Sequence, residues 1–474
     1  MLKSFRSNCV VATGMGAIAF VYYLILSAKE WTWVFVSYDS GDWLATANWW
    51  MVPQPYGSPL YITLCRFIGF LPGSQPTNIT LLLSALPAAI TVGLVYLIVL
   101  RLTDKRLLAV ISSIVLLAST VFLTQATVVE EYTLATMFLT LGIYFRQRDN
   151  YKLTALCLGL GSAVHVLVLL IGVFWLAAEF KLWRKQLVSV GIAALTVAVS
   201  YSLIIVLMSM DTPRLLAGGL SYATLKNYVF AVGGSVVGQL SIFEFPLRLW
   251  DIGRVLLATL GLSIVPIIYA LKYQMPKLRL VLLATIFVCI GYYLTCLDYT
   301  TWTFLTFTIP SLAILAGVGL NKLQPYHTKL VLASSIILIL LNGIFMNASV
   351  LTKETPVAQQ YYDKLTELPE GSIVATHAGS YSLGMFYALS KGVQVVPLVY
   401  PYLDWWEFED YRLWLYSTYD VYIPPNIDTA QAIQYLLDDG KEVYFAHYPN
   451  SVTELQEKLV LEGTGDVRKV VEVR

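Results

Sequence analysis

ITLLLSALPAAITVGLVYLIVL runs from Ile79 to Leu100 without a single charged side chain. A bilayer's hydrocarbon core is about 30 Å thick, so about 20 apolar residues cross it as a helix. The stretch therefore reads as a membrane span. Working outward, apolar blocks recur at residues 9–27, 107–123, 133–145, 153–164, 166–176, 188–208, 252–271, 278–294, 301–320 and 330–344. Together with 79–100 they predict a polytopic α-helical membrane protein of about 11 transmembrane helices. Residues 153–176 also read as one long helix instead of two. Composition agrees: hydrophobic residues make up 57% of the 474 residues and charged residues 13%, against about 25% charged in soluble proteins. The net charge of +1 gives no electrostatic footprint for a nucleic acid partner. Lys3 and Arg6 precede the first apolar run, which lacks a clear small-residue cleavage site and is read as a span.

The basic residues sort onto alternate connections. Lys3 and Arg6 share a side with Arg101, Lys105, Arg106, Arg146, Arg148, Lys152, Lys181, Arg184, Lys185, Lys272, Lys277, Arg279, Lys322 and Lys329. With that side cytoplasmic, the positive-inside rule puts the N-terminus inside and the C-terminus outside. Segments 30–78, 124–132, 211–251 and 295–300 then face outward. Five cysteines, Cys9, Cys65, Cys157, Cys289 and Cys296, lie in or near the membrane part and show neither zinc spacing nor a disulfide framework.

Charges and prolines increase after Asn347. The chain accordingly divides into a membrane domain, 1–350, and an extracytoplasmic α/β domain, 351–474. Segments 372–376, 393–399, 442–446 and 468–473 read as short buried strands. Segments 380–389, 429–437 and 452–461 have helical spacing, with a helix start at Asp428-Thr429. This alternation predicts mostly parallel strands in a layered α/β arrangement. No glycine-rich phosphate loop follows a strand. His377, just past a strand, reads as a loop histidine. The stretch PYLDWWEFEDY, 401–411, is aromatic and acidic and suits either a glycan or, as the simpler reading, the membrane interface through Trp405 and Trp406.

The first outward connection contains SYDSGDW, 37–43, and QPYGSPL, 54–60. Asp39 and Asp42 are three residues apart and share a face if the chain is helical from Gly41. Glu130 and Glu131 follow the third span, His165 interrupts an apolar run, and Asp298 precedes the tenth span. Charged groups at membrane depth are costly and usually mark function. On the topology above all of these lie at the outer level, where they can meet in one cavity.

These motifs resemble the C-type (GT-C) membrane glycosyltransferases related to protein O-mannosyltransferases. In that family the first loop runs roughly DSGE, a helix, HPPGxPL, a helix with arginine, and a leucine-proline end. Here Asp39-Ser40-Gly41-Asp42 is followed by Gln54-Pro55-Tyr56-Gly57-Ser58-Pro59-Leu60, Arg66 and Leu71-Pro72. Glu130-Glu131-Tyr132-Thr133-Leu134 matches the family's E-x-Y-T-L. Residues 159–165 match its glycine-rich helix ending in histidine, and 298–310 match an aspartate before an aromatic, proline-containing span. The likeness is good to about residue 180 and looser beyond. Asp42 stands where the family has glutamate, and Gln54 and Tyr56 replace its histidine and second proline.

The resemblance implies a donor sugar on a polyprenyl phosphate at the outer membrane face, an inverting reaction, and a protein, lipid or glycan acceptor. It places the catalytic base at Asp39, with Asp42 orienting it, and Arg66 on the carrier phosphate. It puts Gln54, Tyr56, Glu130, Tyr132, His165 and Asp298 in the substrate cavity. A divalent ion, magnesium or manganese, bridging Asp39 and the phosphate is compatible with the family, whose members differ in metal need. Arg214, Lys226 and Arg248 are further phosphate candidates that read more simply as interface residues. The competing class is a transporter or flippase of a lipid-linked or polar substrate. That class calls for an internal repeat, and Asp-Ser-Gly-Asp has no counterpart in the second half. A third reading, a catalytically inactive scaffold, leaves the acidic residues unexplained.

Overall fold

The computed structural model describes residues 2–27, 40–48, 58–73, 75–178, 183–208, 245–272, 278–295, 301–349, 357–377, 388–389, 391–400, 415–416, 419–425, 427–446, 454–463 and 467–474. The first part is helical: α1 (Leu2–Leu26), α2 (Ser40–Thr46), α3 (Pro59–Gly69), α4 (Gln75–Ile79), a π-helical turn (Thr80–Ala85), α5 (Leu86–Thr103), α6 (Arg106–Leu117), α7 (Thr120–Ala126), α8 (Tyr132–Arg146), α9 (Tyr151–Val164), α10 (Val166–Ala178) and α11 (Trp183–Met208). Then come α12 (Phe245–Leu260), α13 (Ile264–Ala270), α14 (Arg279–Thr295), a 3₁₀ turn (Thr301–Phe307), α15 (Ile309–Leu320) and α16 (Pro325–Ser349). Every predicted span is helical among the described residues. Among the described residues, five stretches are long and apolar enough to cross a membrane unaided: Ser7–Leu26, Thr77–Thr103, Leu187–Ile204, Pro246–Ala270 and Pro325–Ile344.

The predicted span 107–123 is sharply bent. Within 107–123, α6 and α7 meet at 67°. The break is held by a residue more than 200 positions away: Asn342 Nδ2 donates to the Ala118 carbonyl (2.8 Å), and Thr120 Oγ1 donates to Asn342 Oδ1 (2.9 Å). Ser119 Oγ caps α7 by accepting from the Phe122 N–H at 3.2 Å. Residues 153–176 form two helices, because His165 has an extended backbone (φ −150°, ψ 129°) between α9 and α10.

Helix burial separates centre from periphery. Every residue of α15 is buried. It packs against α5, α6 and α13, while α5 also packs against α1 and α8. Lipid supplies little hydrophobic drive between helices, so close approach of small residues does much of the holding. Gly16 and Gly93 show this reciprocally. A Cβ on Gly16 would stand 3.1 Å from the Ala89 carbonyl oxygen, and one on Gly93 would stand 2.9 Å from that of Ala12.

The tail holds α17 (Val357–Glu367), β1 (Ile373–His377), β2 (Val396–Tyr400), α18 (Thr429–Asp438), β3 (Val443–Ala446), α19 (Glu454–Glu457), β4 (Leu459–Glu462) and β5 (Val467–Val473). The sheet order is β2-β1-β3-β5-β4. β1 pairs in parallel with β2 and β3, while β5 runs antiparallel to both β3 and β4. The predicted parallel arrangement therefore holds for one half of the sheet and is replaced by antiparallel pairing in the other. Segment 452–461 is corrected: its helix is only α19, and Leu459 onward pairs with β5, Leu459 opposite Val473. Most of 380–389, together with Trp405 and Trp406, lies outside the described residues.

Asp428 caps α18 with a full capping box: Oδ1 accepts from the Gln431 N–H (2.8 Å) and Gln431 Oε1 accepts from the Asp428 N–H (2.9 Å). Asp428→Ala is expected to cost about 1 kcal/mol. The check is chemical denaturation of the purified full chain, followed by a probe in the tail.

Candidate active site

Glu130 and Glu131 lie immediately before α8 and are 0% and 2% exposed. Two carboxylates in the interior of a membrane protein are expensive. Their place at a helix N-terminus, where backbone N–H groups and the helix dipole favour negative charge, offsets part of that cost. Ser84 fixes the segment from the π-helical turn. Its hydroxyl donates to the Glu130 carbonyl at 3.1 Å, and Thr133 Oγ1 donates to the Ser84 carbonyl at 3.0 Å. A π turn re-aims side chains within a helix and recurs at functional sites.

The first-loop helices close on this point. The buried Tyr61 of α3 places its hydroxyl beside Ser84, in the field of Glu130 and Glu131. One turn on, Cys65 faces Thr46 and Tyr61. Trp43 of α2 meets the Tyr61 ring edge-on, at 5.0 Å between centroids and 77° between planes. Asp42 is the residue before Trp43, so the helix that contains Asp42 is held on α3 through Trp43 and Tyr61. Ser58, which ends the Gln54–Tyr56 approach, has a left-handed backbone (φ 33°) directly before Pro59. Such a conformation is costly for serine and is retained where surroundings impose it.

His165 packs beside Tyr132 with ring centroids 5.3 Å apart. Phe304 and Phe307 of the 3₁₀ turn complete the cluster, at 5.8 and 5.1 Å from His165 and 5.8 and 6.0 Å from Tyr132. His165 Nδ1 accepts the Leu167 N–H at 3.1 Å. An accepting Nδ1 places the neutral ring's proton on Nε2. Glycines of the 159–165 motif have a packing reason: a Cβ on Gly159 would press on the Ala193 backbone of α11. His165→Phe keeps the ring contacts but orphans the Leu167 N–H, and is expected to cost about 1–3 kcal/mol. Thermal unfolding in detergent measures this.

Of the predicted residues, Tyr132 and His165 pack together here, Glu130 is buried two residues before Tyr132, and Asp42 lies on α2. Asp39, Gln54, Tyr56 and Asp298 lie outside the described residues. Arg66 uses Nη1 on the carbonyls of Ala47 (3.2 Å) and Asn48, closing the C-terminal end of α2, and its guanidinium lies 5.2 Å from the Phe70 ring centroid. Among the described residues no group of three or more His, Cys, Asp or Glu side chains is placed to hold a metal ion. Sequence reading passed over Trp43, Tyr61, Ser84, Phe304 and Phe307. Ser84, a hydroxyl inside the uncharged span, carried the one usable signal.

Residues 39–189 match the family described as the protein O-mannosyl-transferase TMEM260 N-terminal domain. No curated protein matches the sequence. The fold is similar to that of ArnT from Cupriavidus metallidurans bound to undecaprenyl phosphate, with a TM-score of 0.60 at 12% identity over 96% of each chain. The apo state of that protein gives a TM-score of 0.61 at 13% identity, again over 96% of each chain. Family match and fold bear out the resemblance read from the sequence: the chain has the membrane fold of ArnT and, over residues 39–189, is similar to the protein O-mannosyl-transferase TMEM260 N-terminal domain.

Proposed function

We propose that the protein transfers a sugar from a polyprenyl-phosphate carrier to an acceptor hydroxyl on the outer membrane face, with inversion at the anomeric carbon. The observation that carries this reading is the packing of Tyr132 on His165 beside the buried Glu130 and Glu131, with α2, whose Asp42 precedes Trp43, held on Tyr61. Support for the carrier comes from the fold shared with ArnT, whose structure is bound to undecaprenyl phosphate. Support for mannose comes from the O-mannosyl-transferase match. The C-terminal domain, 351–474, is placed outside with the site, and the N-terminus in the cytoplasm.

Asp39 accepts the proton of the acceptor hydroxyl as that oxygen attacks the anomeric carbon. The bond from the anomeric carbon to the phosphate oxygen breaks, and the carrier phosphate leaves with the electron pair. A base must reach the proton it removes, so Asp42, on α2, orients Asp39 or the acceptor. Arg66 is assigned to the departing phosphate, where charge builds and a fixed cation helps most. A guanidinium carries five donors, so its hold on α2 is compatible with that role. Glu130 and Tyr132 line the acceptor or sugar pocket. Nε2–H of His165 is a donor for a sugar oxygen, and Gln54, Tyr56 and Asp298 complete the walls.

The stereochemistry tests the reaction. With a donor of defined anomeric configuration, product linkage determined by NMR is expected to be opposite to the donor's. Retention would contradict a single displacement with Asp39 as base.

A further inference from the structure

α2 is seven residues long. A helix that short does not hold itself in place, so its position depends on what clasps it. Trp43 on Tyr61 secures its middle. Its C-terminal end is held by a relay that reaches the tail.

Arg66 Nη1 binds the carbonyls of Ala47 and Asn48. The Asn48 and Gln75 amides bind each other twice: Asn48 Nδ2 donates to Gln75 Oε1 (3.1 Å) and Gln75 Nε2 donates to Asn48 Oδ1 (3.0 Å). Gln75 Nε2 also reaches the Gly69 carbonyl, at 3.3 Å, at the end of α3. Gln75 Oε1 accepts a second hydrogen bond, from Lys391 Nζ of the tail. Lys391 is held in the turn before β2, its N–H bonded to the Ala388 carbonyl (3.0 Å). A reciprocal amide pair fixes both side chains in one orientation, and the ammonium polarises the same Gln75 oxygen that Asn48 uses. Hydrogen bonds in such a chain strengthen one another.

We infer that Lys391 is a positioning residue through which the tail holds α2, and with it the Asp39–Asp42 segment, in its working place. The inference rests on the transferase reading. Lys391 acts through Gln75 and Asn48.

The test compares wild type, Lys391→Met, Lys391→Arg, Gln75→Ala and the Lys391→Met/Gln75→Ala double variant as full chains in nanodiscs. Lys391→Met keeps the length of an exposed side chain, so melting temperatures should match. Transfer from mannosyl polyprenyl phosphate is expected to show kcat lowered about fivefold or more in Lys391→Met with the donor KM unchanged, and recovery in Lys391→Arg. The double variant is expected to be no worse than Gln75→Ala alone, since both remove one relay. Hydrogen exchange across residues 40–48, read without any substrate, is expected to rise in Lys391→Met. Unchanged exchange overturns the inference whether or not transfer is seen, and so does an unchanged kcat or full additivity. Absence of transfer by wild type, with the exchange effect present, counts against the transferase reading alone.

Discussion

Asp39→Asn is expected to lower sugar transfer by about 10²–10⁴-fold, the range a positioned general base supplies. Asparagine keeps the shape of the side chain and removes its capacity to take the proton, so donor binding and protein level should stay near wild type. Asp39→Glu restores the carboxylate at a different reach and is expected to recover part of the rate. Asp42→Asn should cost less than Asp39→Asn, because an orienting group acts through the base. Initial rates with labelled donor at matched protein levels measure all three. A rate for Asp39→Asn within twofold of wild type would remove it from the chemistry.

Gly319→Leu is the substitution expected to be most damaging to the fold. α15 is buried along its whole length, and a Cβ on Gly319 would run into the Pro266 carbonyl of α13. The obstacle is backbone, which cannot rotate away as a side chain can. Overpacking of a core typically costs about 1–3 kcal/mol, and a leucine against backbone at the centre of the bundle falls at the upper end. The expected result is loss of the monodisperse species in detergent together with a lower melting temperature. Gly343→Leu is the matched control: a Cβ there has nothing within 4 Å, and the variant should behave as wild type.

Much of the membrane architecture was legible because hydropathy alone decides which segments enter a bilayer. The break between α6 and α7 was not. The apolar pattern runs unbroken through Ala118–Ser119, and the bend there depends on Asn342, which is distant in sequence but adjacent in space. The division at His165 was legible: the sequence reads as separate spans on either side of it, and the extended backbone there parts α9 from α10. In the tail, Leu459-Val460-Leu461 continued a helical spacing, and only its pairing with β5 makes it a strand. The same division holds at the site. Glu130 and His165 stood out as polar groups at membrane depth, and Tyr132, which the motif resemblance pointed to, packs on His165. Trp43 and Tyr61 carried no signal of their own, since nothing local showed that they pack on each other and hold α2 on α3. The motif resemblance supplied the expectation that the first loop and the start of α8 belong together, and the packing gives its physical form.

The most direct measurement supplies radiolabelled mannosyl polyprenyl phosphate to membranes containing the protein and follows both the sugar and the carrier. The label is expected to leave the carrier, appear on an acceptor hydroxyl, and release an equal amount of polyprenyl phosphate. Label that stays on intact carrier while the carrier passes from one leaflet to the other would contradict the transferase and identify a flippase.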